Sequence, residues 1–127
     1  MADLELLPIE LLAKSLSDEE IILSYEDSLE ALKIMSENEY AALGFEILFW
    51  KDQKDLVEIK NYVSYFPDEI VWPDFVLQSY EQVKEQLTRE YNGIMYSDYN
   101  EDDIYFCLSF ISSNEFEAYY YDFISID

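Results

Sequence analysis

The stretch WPDFVLQSYEQVKEQLTREYNG, residues 72–93, predicts the longest helix of the chain. Pro73 suits a first helical turn, and Asp74 beside it complements the positive end of the helix dipole. Gly93 is well placed to end the helix. Apolar positions recur at i, i+4, i+7 and i+11, on one helical face, at Val76, Tyr80, Val83 and Leu87. We therefore expect this face to belong to the hydrophobic core.

The residues on either side of this helix predict β-strands. Upstream, YAALGFEILFW (residues 40–50) alternates two sets of residues, Phe45, Ile47 and Phe49 against Glu46, Leu48 and Trp50. After the turn KDQKD, residues 56–66 also alternate, with Glu58, Lys60 and Tyr62 on one side. They are typical of the return strand of an antiparallel hairpin. Downstream, alternation over residues 104–110 predicts a further strand.

The N-terminal third predicts two helices around a short strand. Pro8 opens a helix over residues 8–16, and Ile21 to Tyr25 is typical of a short strand. The segment DSLEALKIMSENEY then predicts a second helix, capped by Asp27 or Ser28.

The last segment, EFEAYYYDFISID (residues 115–127), predicts a final strand because tyrosine and phenylalanine favour strands. One face, which can serve the core, holds Phe116, Ala118, Tyr120, Ile124 and Ile126. The other face presents tyrosines and carboxylates together, at Glu115, Glu117, Tyr119, Tyr121 and Phe123. High strand propensity alone would also explain so many aromatic residues.

Together these elements predict one α+β domain over residues 1–127, with a single layer of helices packed on a largely antiparallel sheet. The expected core is Leu32, Phe45, Ile47, Phe49, Val76, Tyr80, Val83, Leu87, Phe106, Leu108 and Phe110. The strand order is left open.

The charge of the chain is its most unusual feature. Twenty-nine acidic residues face seven basic ones, for a net charge of −22, against about 2–8 for an ordinary small domain. No Lys or Arg follows Arg89. Such a field disfavours binding to nucleic acids or anionic membranes and favours capture of a cationic partner. Solubility alone, for example in a salt-adapted host, is the plainer reading.

Several kinds of chemistry are excluded or unsupported by the residues. The chain has no histidine, and its two glycines are too far apart for a phosphate-binding loop. Cys107 is expected to be a packed thiol rather than a nucleophile. Asp98, Asn100 and Asp102 match the opening of a calcium loop, but Asp103 stands where glycine is required and Ser109 where glutamate is. We therefore predict no catalytic residue, metal or cofactor, although weak divalent-cation binding stays open.

The compartment is predicted to be the cytoplasm. The opening residues, MADLELLPIELL, carry acids where a signal peptide needs basic residues. A single cysteine fits a reducing compartment, and no apolar run reaches the length of a membrane span.

Four segments, LPIELL, SLEALKIM, YAALGFEIL with Leu43-Gly44 at its centre, and SYEQVKEQL, resemble immunity protein family 40 of bacterial polymorphic toxin systems over residues 8–91. The resemblance implies a small cytoplasmic protein that binds and blocks a cognate toxin. Many such toxins are enzymes with basic clefts, which would suit an acidic inhibitor.

We therefore predict an immunity protein that binds a basic toxin, not an enzyme. Its partner-binding residues are predicted to be Asp98, Glu101, Asp102, Asp103, Glu115, Glu117, Tyr119, Tyr121 and Phe123. The alternative is an acidic mimic of nucleic acid from a phage or mobile element. An enzyme that uses carboxylates and a divalent metal is a weaker possibility. The oligomeric state is left open.

Overall fold

The described residues form a four-stranded antiparallel sheet with four α-helices, which confirms the predicted α+β class. The structure, a computed structural model, describes residues 4–51, 55–64, 70–94 and 100–124, without the side chains at positions 51, 101 and 119–124. The elements in chain order are a 3-10 turn (Leu4–Leu6), α1 (Ile9–Leu12), β1 (Ile21–Leu23), α2 (Tyr25–Glu37), β2 (Ala41–Lys51), β3 (Asp55–Val63), α3 (Trp72–Ile94), a 3-10 turn (Glu101–Asp103), β4 (Ile104–Ile111) and α4 (Ser113–Ile124).

The strands lie in the order β1-β4-β2-β3, so that β2 and β4 are central and β1 and β3 form the two edges. Phe45 of β2 pairs with Leu108 of β4 on one side and with Tyr62 of β3 on the other. The predicted hairpin of β2 and β3 is therefore confirmed. β1 pairs with β4 through only three residues.

Helices cover one face of the sheet. α3 lies along β2, α2 contacts β1, β4 and β2, and the two helices pack against each other. Tyr25 of α2 stacks on Tyr91 of α3, with ring centroids 4.0 Å apart, and its hydroxyl donates to Thr88 Oγ1 at 3.0 Å. Leu7 and Leu11, near α1, join the same buried cluster. Judged over the described residues, none of the helices combines the length and apolar character that a membrane crossing needs.

The predicted core is confirmed for nine of its eleven residues. The other two, Phe49 and Tyr80, are half-buried. Tyr80 lies at the rim, where the Lys84 ammonium sits 5.7 Å from its ring centroid. Phe75 is buried although it lies outside the predicted stripe, because it joins a separate buried cluster that includes Ala41 of β2, with Trp72 packed against it.

The first helix is shorter than predicted because Ser15 competes for the backbone. Only Ile9–Leu12 are α-helical, not residues 8–16. Ser15 Oγ lies 2.9 Å from the Glu20 carbonyl oxygen and accepts the Ile22 N–H at 3.1 Å. Serine side chains that bond nearby backbone groups in this way oppose helix continuation.

The second helix begins earlier than predicted, and the strand before it ends earlier. Ser24 occupies the N-cap position of α2, not Asp27 or Ser28, so β1 stops at Leu23. The Ser24 hydroxyl donates to Asp27 Oδ2 at 3.1 Å. Ser28 is buried and donates to the Leu23 carbonyl at 3.2 Å, which ties the helix to the strand.

The predicted final strand is wrong, because Ser113–Ile124 form the helix α4. Its start is a capping box, in which Glu115 N–H donates to Ser112 Oγ at 3.2 Å and Ser112 N–H donates to Glu115 Oε1 at 3.1 Å. Phe116 anchors the helix, with its ring centroid 5.6 Å from that of Trp72 and 6.1 Å from that of Phe75. The local start signal therefore prevails over strand propensity.

Gly44 occupies a position on β2 where no side chain fits. The pairing of β2 with β4 shifts between Ala42 and Gly44, and Gly44 has a φ of +152°. A Cβ atom there would lie 2.0 Å from the Tyr62 carbonyl oxygen of the neighbouring strand. Position 44 therefore requires glycine, because the β3 backbone lies too close for a side chain.

We expect Gly44→Ala to lower the free energy of unfolding by about 1–3 kcal/mol or more, because it adds backbone strain and a collision with β3. Gly93→Ala is the matched control: that residue is helical and a Cβ atom there meets nothing within 4 Å. It should stabilise the protein by up to about 1 kcal/mol. Urea unfolding of both variants checks the two signs, and a neutral Gly44→Ala would contradict the packing described.

We expect the capping box to make the stability of α4 depend on pH. Partial burial opposes ionisation of Glu115, but a hydrogen bond with the N-terminal amine and further hydrogen bonds from Ser112 prevail and lower the pKa of that carboxyl below its ordinary value of 4.5. A lowered folded-state pKa gives stability that is present above pH 4.5 and lost as the pH falls through the folded value.

Glu115→Gln keeps a hydrogen-bonding side chain without the charge, so the difference in unfolding free energy from wild type should shrink between pH 7 and pH 3. Glu117→Gln, outside the cap, is the control. Ser112→Ala should cost about 1 kcal/mol at pH 7. Equal pH profiles for both glutamine variants would show that the Glu115 charge adds no pH-dependent stability.

Candidate functional site

The described backbone places the residues predicted to bind a partner in two groups. Asp98 lies outside the described residues, and Glu101, Asp102 and Asp103 form the turn before β4. The other five predicted residues, Glu115, Glu117, Tyr119, Tyr121 and Phe123, lie in α4, after the end of β4. β4 spans eight residues, about 26 Å of extended chain, so the structure places the two groups at opposite ends of a strand.

The helical form of α4 also divides its own predicted residues. Residues two apart lie about 200° apart around a helix and residues four apart about 40°, so position 119 lies on a different face from positions 117 and 121, whereas a strand would place all three on one face. Glu115 is engaged in the capping box, whereas Glu117 is exposed. The predicted tyrosine-rich strand face therefore does not exist in this form.

The acidic turn before β4 is organised by Asn100. Its Oδ1 accepts the Asp102 N–H at 3.1 Å, and its carbonyl accepts the Asp103 N–H at 3.0 Å. Among the residues that the structure describes, no three acidic, cysteine or histidine side chains are grouped to hold a metal ion.

A different acidic and aromatic surface lies on the side of the sheet opposite the helices. We call it the open face; it comprises Glu46 and Trp50 of β2, Leu56, Glu58 and Asn61 of β3, and Tyr105 of β4. Trp50 and Tyr105 form an edge-to-face pair, with ring centroids 5.7 Å apart and planes at 76°. Both rings are half-buried, and Glu46, Leu56, Glu58 and Asn61 are exposed.

A β-bulge in the hairpin decides which charges reach the open face. The register of β2 and β3 shifts between Ile47 and Leu48, which pair with Lys60 and Glu58 and leave Ile59 unpaired. Glu58 therefore shares the open face with Asn61, whose Nδ2 lies 3.4 Å from Glu58 Oε1. Regular alternation would have placed Glu58 and Lys60 on the same side.

The described basic side chains lie elsewhere. Lys60 turns to the helical side, where its Nζ is 2.8 Å from Glu90 Oε1 of α3. The others are on helices or paired with them: Lys14 with Asp27, Lys33 on α2, Lys84 over Tyr80, and Arg89 with Glu85. Within the described side chains, the open face therefore carries acids and no base.

Cys107 lies beneath the open face, where its thiol is buried and unreactive. It is buried with Ile22 and Leu48. Burial raises its pKa to about 12, assisted by the charges of Glu20 and Glu46 and by a hydrogen bond with Glu20. A cleft of about 170 Å³ beside it, towards the β1 edge, is lined mainly by apolar groups and includes Glu20. The thiol is not activated as a nucleophile, in agreement with its predicted packing role.

The sequence carried a partial signal for the open face. Glu46 interrupts an otherwise apolar strand between Phe45 and Ile47, which marks the solvent side of β2. Trp50 and Tyr105 were identified as strand residues, but their contact depends on the pairing of β2 with β4. No local pattern reveals that pairing.

Compared with known proteins, the chain matches no family model, no curated protein and no solved structure. The similarity to immunity protein family 40 therefore stays a prediction, and function has to be argued from the residues and their geometry.

We expect Cys107 in the folded protein to react with iodoacetamide at pH 8 at least tenfold more slowly than in urea, because only the thiolate attacks. Removing the adjacent charges by Glu20→Gln and Glu46→Gln should lower the pKa and speed the reaction near pH 10. A reaction as fast in the folded state as in urea would contradict this environment.

The same raised pKa predicts that stability falls in alkali. The folded pKa lies near 12 and the ordinary value is 9.0, so the contribution of the neutral thiol is complete below pH 9 and is lost as the pH rises towards 12. Cys107→Ala should remove this part of the pH dependence in urea unfolding.

Proposed function

We propose that this protein is an immunity protein, which binds and neutralises a cognate bacterial toxin through a basic surface of that toxin. The charge supports a cationic partner. Even if all seven basic residues each paired with one acid, 22 of the 29 carboxylates would stay uncompensated. Such self-repulsion destabilises a compact chain, and a basic partner relieves it.

The observation that carries the proposal is an acidic and aromatic face from which the described bases are absent, although acids lie on the helical side as well. The described bases lie on the helical side, whereas Glu46 and Glu58 lie on the open face. Trp50 of β2 and Tyr105 of β4 contact each other on the same face. Interfaces are anchored by aromatic side chains that become fully desolvated, with charged groups at the rim. The open face offers both in one place.

Inhibition by such a surface needs no turnover. Carboxylates would speed the encounter with a basic toxin by long-range attraction. The aromatic pair would then be buried against the toxin and exclude its substrate by occupying or covering a basic cleft. The resemblance to immunity protein family 40 supports the biological role, and the charge supports the class of partner.

The predicted residues at the two ends of β4 contribute to this proposal through their field. Asp102 and Glu117 are exposed, and both groups lie in the base-free stretch after Arg89. They extend the negative potential beyond the open face. Direct contact by Tyr119, Tyr121 and Phe123 stays a prediction.

The test is to measure association with the product of the adjacent gene, expressed as an inactive toxin, at rising ionic strength. Glu46→Lys with Glu58→Lys should lower the association rate about tenfold or more at low salt, because two carboxylates at the contact are reversed. Glu30→Lys with Glu81→Lys is the matched control: both residues are exposed on helices, and the net charge changes equally.

Equal effects of the two double variants would mean that the open face is not the contact. An association rate indifferent to salt would contradict electrostatic capture. Competition with duplex DNA for several unrelated DNA-binding proteins would instead indicate a nucleic-acid mimic.

A further inference from the structure

The strand β3 is an open edge of the sheet. It is the last strand in the sheet order, and within the described residues only β2 pairs with it. Nearly all of its side chains are exposed. Of the seven large apolar side chains that are exposed in the described part of the chain, four lie here, Leu56, Val57, Ile59 and Val63. Long exposed edges of this kind are templates for another strand.

The backbone of β3 beyond its bulge has a defined polarity. Ser64 N–H donates across the ladder to the Leu43 carbonyl at 2.7 Å. Because alternate residues of an antiparallel strand point their N–H and C=O groups to the same side, Tyr62 and Lys60 also face β2. Asn61 and Val63 therefore direct their N–H and C=O groups to the open edge.

The charges beside this edge select its occupant. Asp55 and Glu58 lie on β3, Glu46 lies behind it on β2, and Lys60 is turned away to Glu90 at 2.8 Å. A second copy would bring another net charge of −22 to the same place. A basic strand would be attracted instead.

We propose that the partner adds a β-strand to β3 along Lys60–Val63, making a fifth strand of the sheet. This inference rests on the proposed function, since the partner is the same basic protein, and it adds how that protein binds. The added strand alternates Lys or Arg with β-branched residues, because one of its faces continues the open face. Its basic side chains lie towards Glu58 and Glu46, while its backbone bonds Asn61 and Val63.

The probe is a ten-residue peptide of alternating lysine and valine, acetylated and amidated, titrated into the full chain. A fully N-methylated version keeps its charges and side chains but has no backbone donors. We expect the plain peptide to bind with strong salt dependence and the methylated peptide to bind at least tenfold more weakly. On binding, NMR should show slower hydrogen exchange at the Asn61 and Val63 amides.

Variants test the edge from the protein side. Val63→Pro removes an N–H that points to the open edge and makes no ladder bond to β2. Edge strands tolerate proline at such positions. Val63→Thr keeps the N–H and the branched shape. The proline variant should bind the plain peptide at least tenfold more weakly than the threonine variant, with circular dichroism confirming that both fold. The exchange measurement on the wild type stands even if the proline variant does not fold.

The outcomes separate this inference from the proposed function. Equal, salt-dependent binding of both peptides, weakened by Glu46→Lys with Glu58→Lys, overturns strand addition and leaves an acidic binding surface. No binding of the plain peptide, or no change in exchange at Asn61 and Val63, overturns strand addition as well. A concentration-dependent dimer that is lost in Val63→Pro assigns the edge to a second copy and also overturns it.

Discussion

The contact between the helical layer and one face of the sheet is the interaction on which the molecule depends. Phe106 lies at its centre, with its ring centroid 5.8 Å from that of Phe45 and 6.4 Å from that of Tyr25. Val83 and Leu87 of α3 close over the same cluster. Because a net charge of −22 opposes compaction, burial of apolar surface in this cluster has to offset that repulsion as well as the loss of chain entropy.

The main core lies on one side of the sheet. On the other side Ile22, Leu48 and Cys107 form a smaller buried cluster, and the acids and aromatic residues of the open face lie beside it. The bulge at Ile59 places Glu58 and Lys60 on opposite sides of the sheet, since Glu58 stays on the open face and Lys60 pairs with Glu90 of α3. The distribution of charge is therefore a consequence of register. Under the proposed function, a cationic protein at the open face and the β3 edge would relieve repulsion among the remaining carboxylates.

The sequence predicted those elements whose pattern is long and local. The period of α3, the alternation of β2 and the alternation of β4 all identify their buried faces, since each pattern repeats over several residues. The same approach gave the wrong prediction for α4, because its apolar pattern fits both structures. Phe116, Tyr120 and Ile124 recur at i, i+4 and i+8, as in a helix, and they also fit one face of a strand. The signal that distinguishes a helix start from a strand here is the spacing of Ser112 and Glu115, which is that of a capping box.

The sequence by itself determined the α+β class, most of the core, the absence of imidazole chemistry and the excess of negative charge, because these depend on composition and on short periodic patterns. Only the tertiary structure decided that Trp50 meets Tyr105, that β3 is an edge, and that Gly44 lies against the Tyr62 carbonyl. Strand order and register join residues far apart in the chain, and a shift of one residue exchanges the faces of a strand. The surface available for binding is set by those non-local pairings.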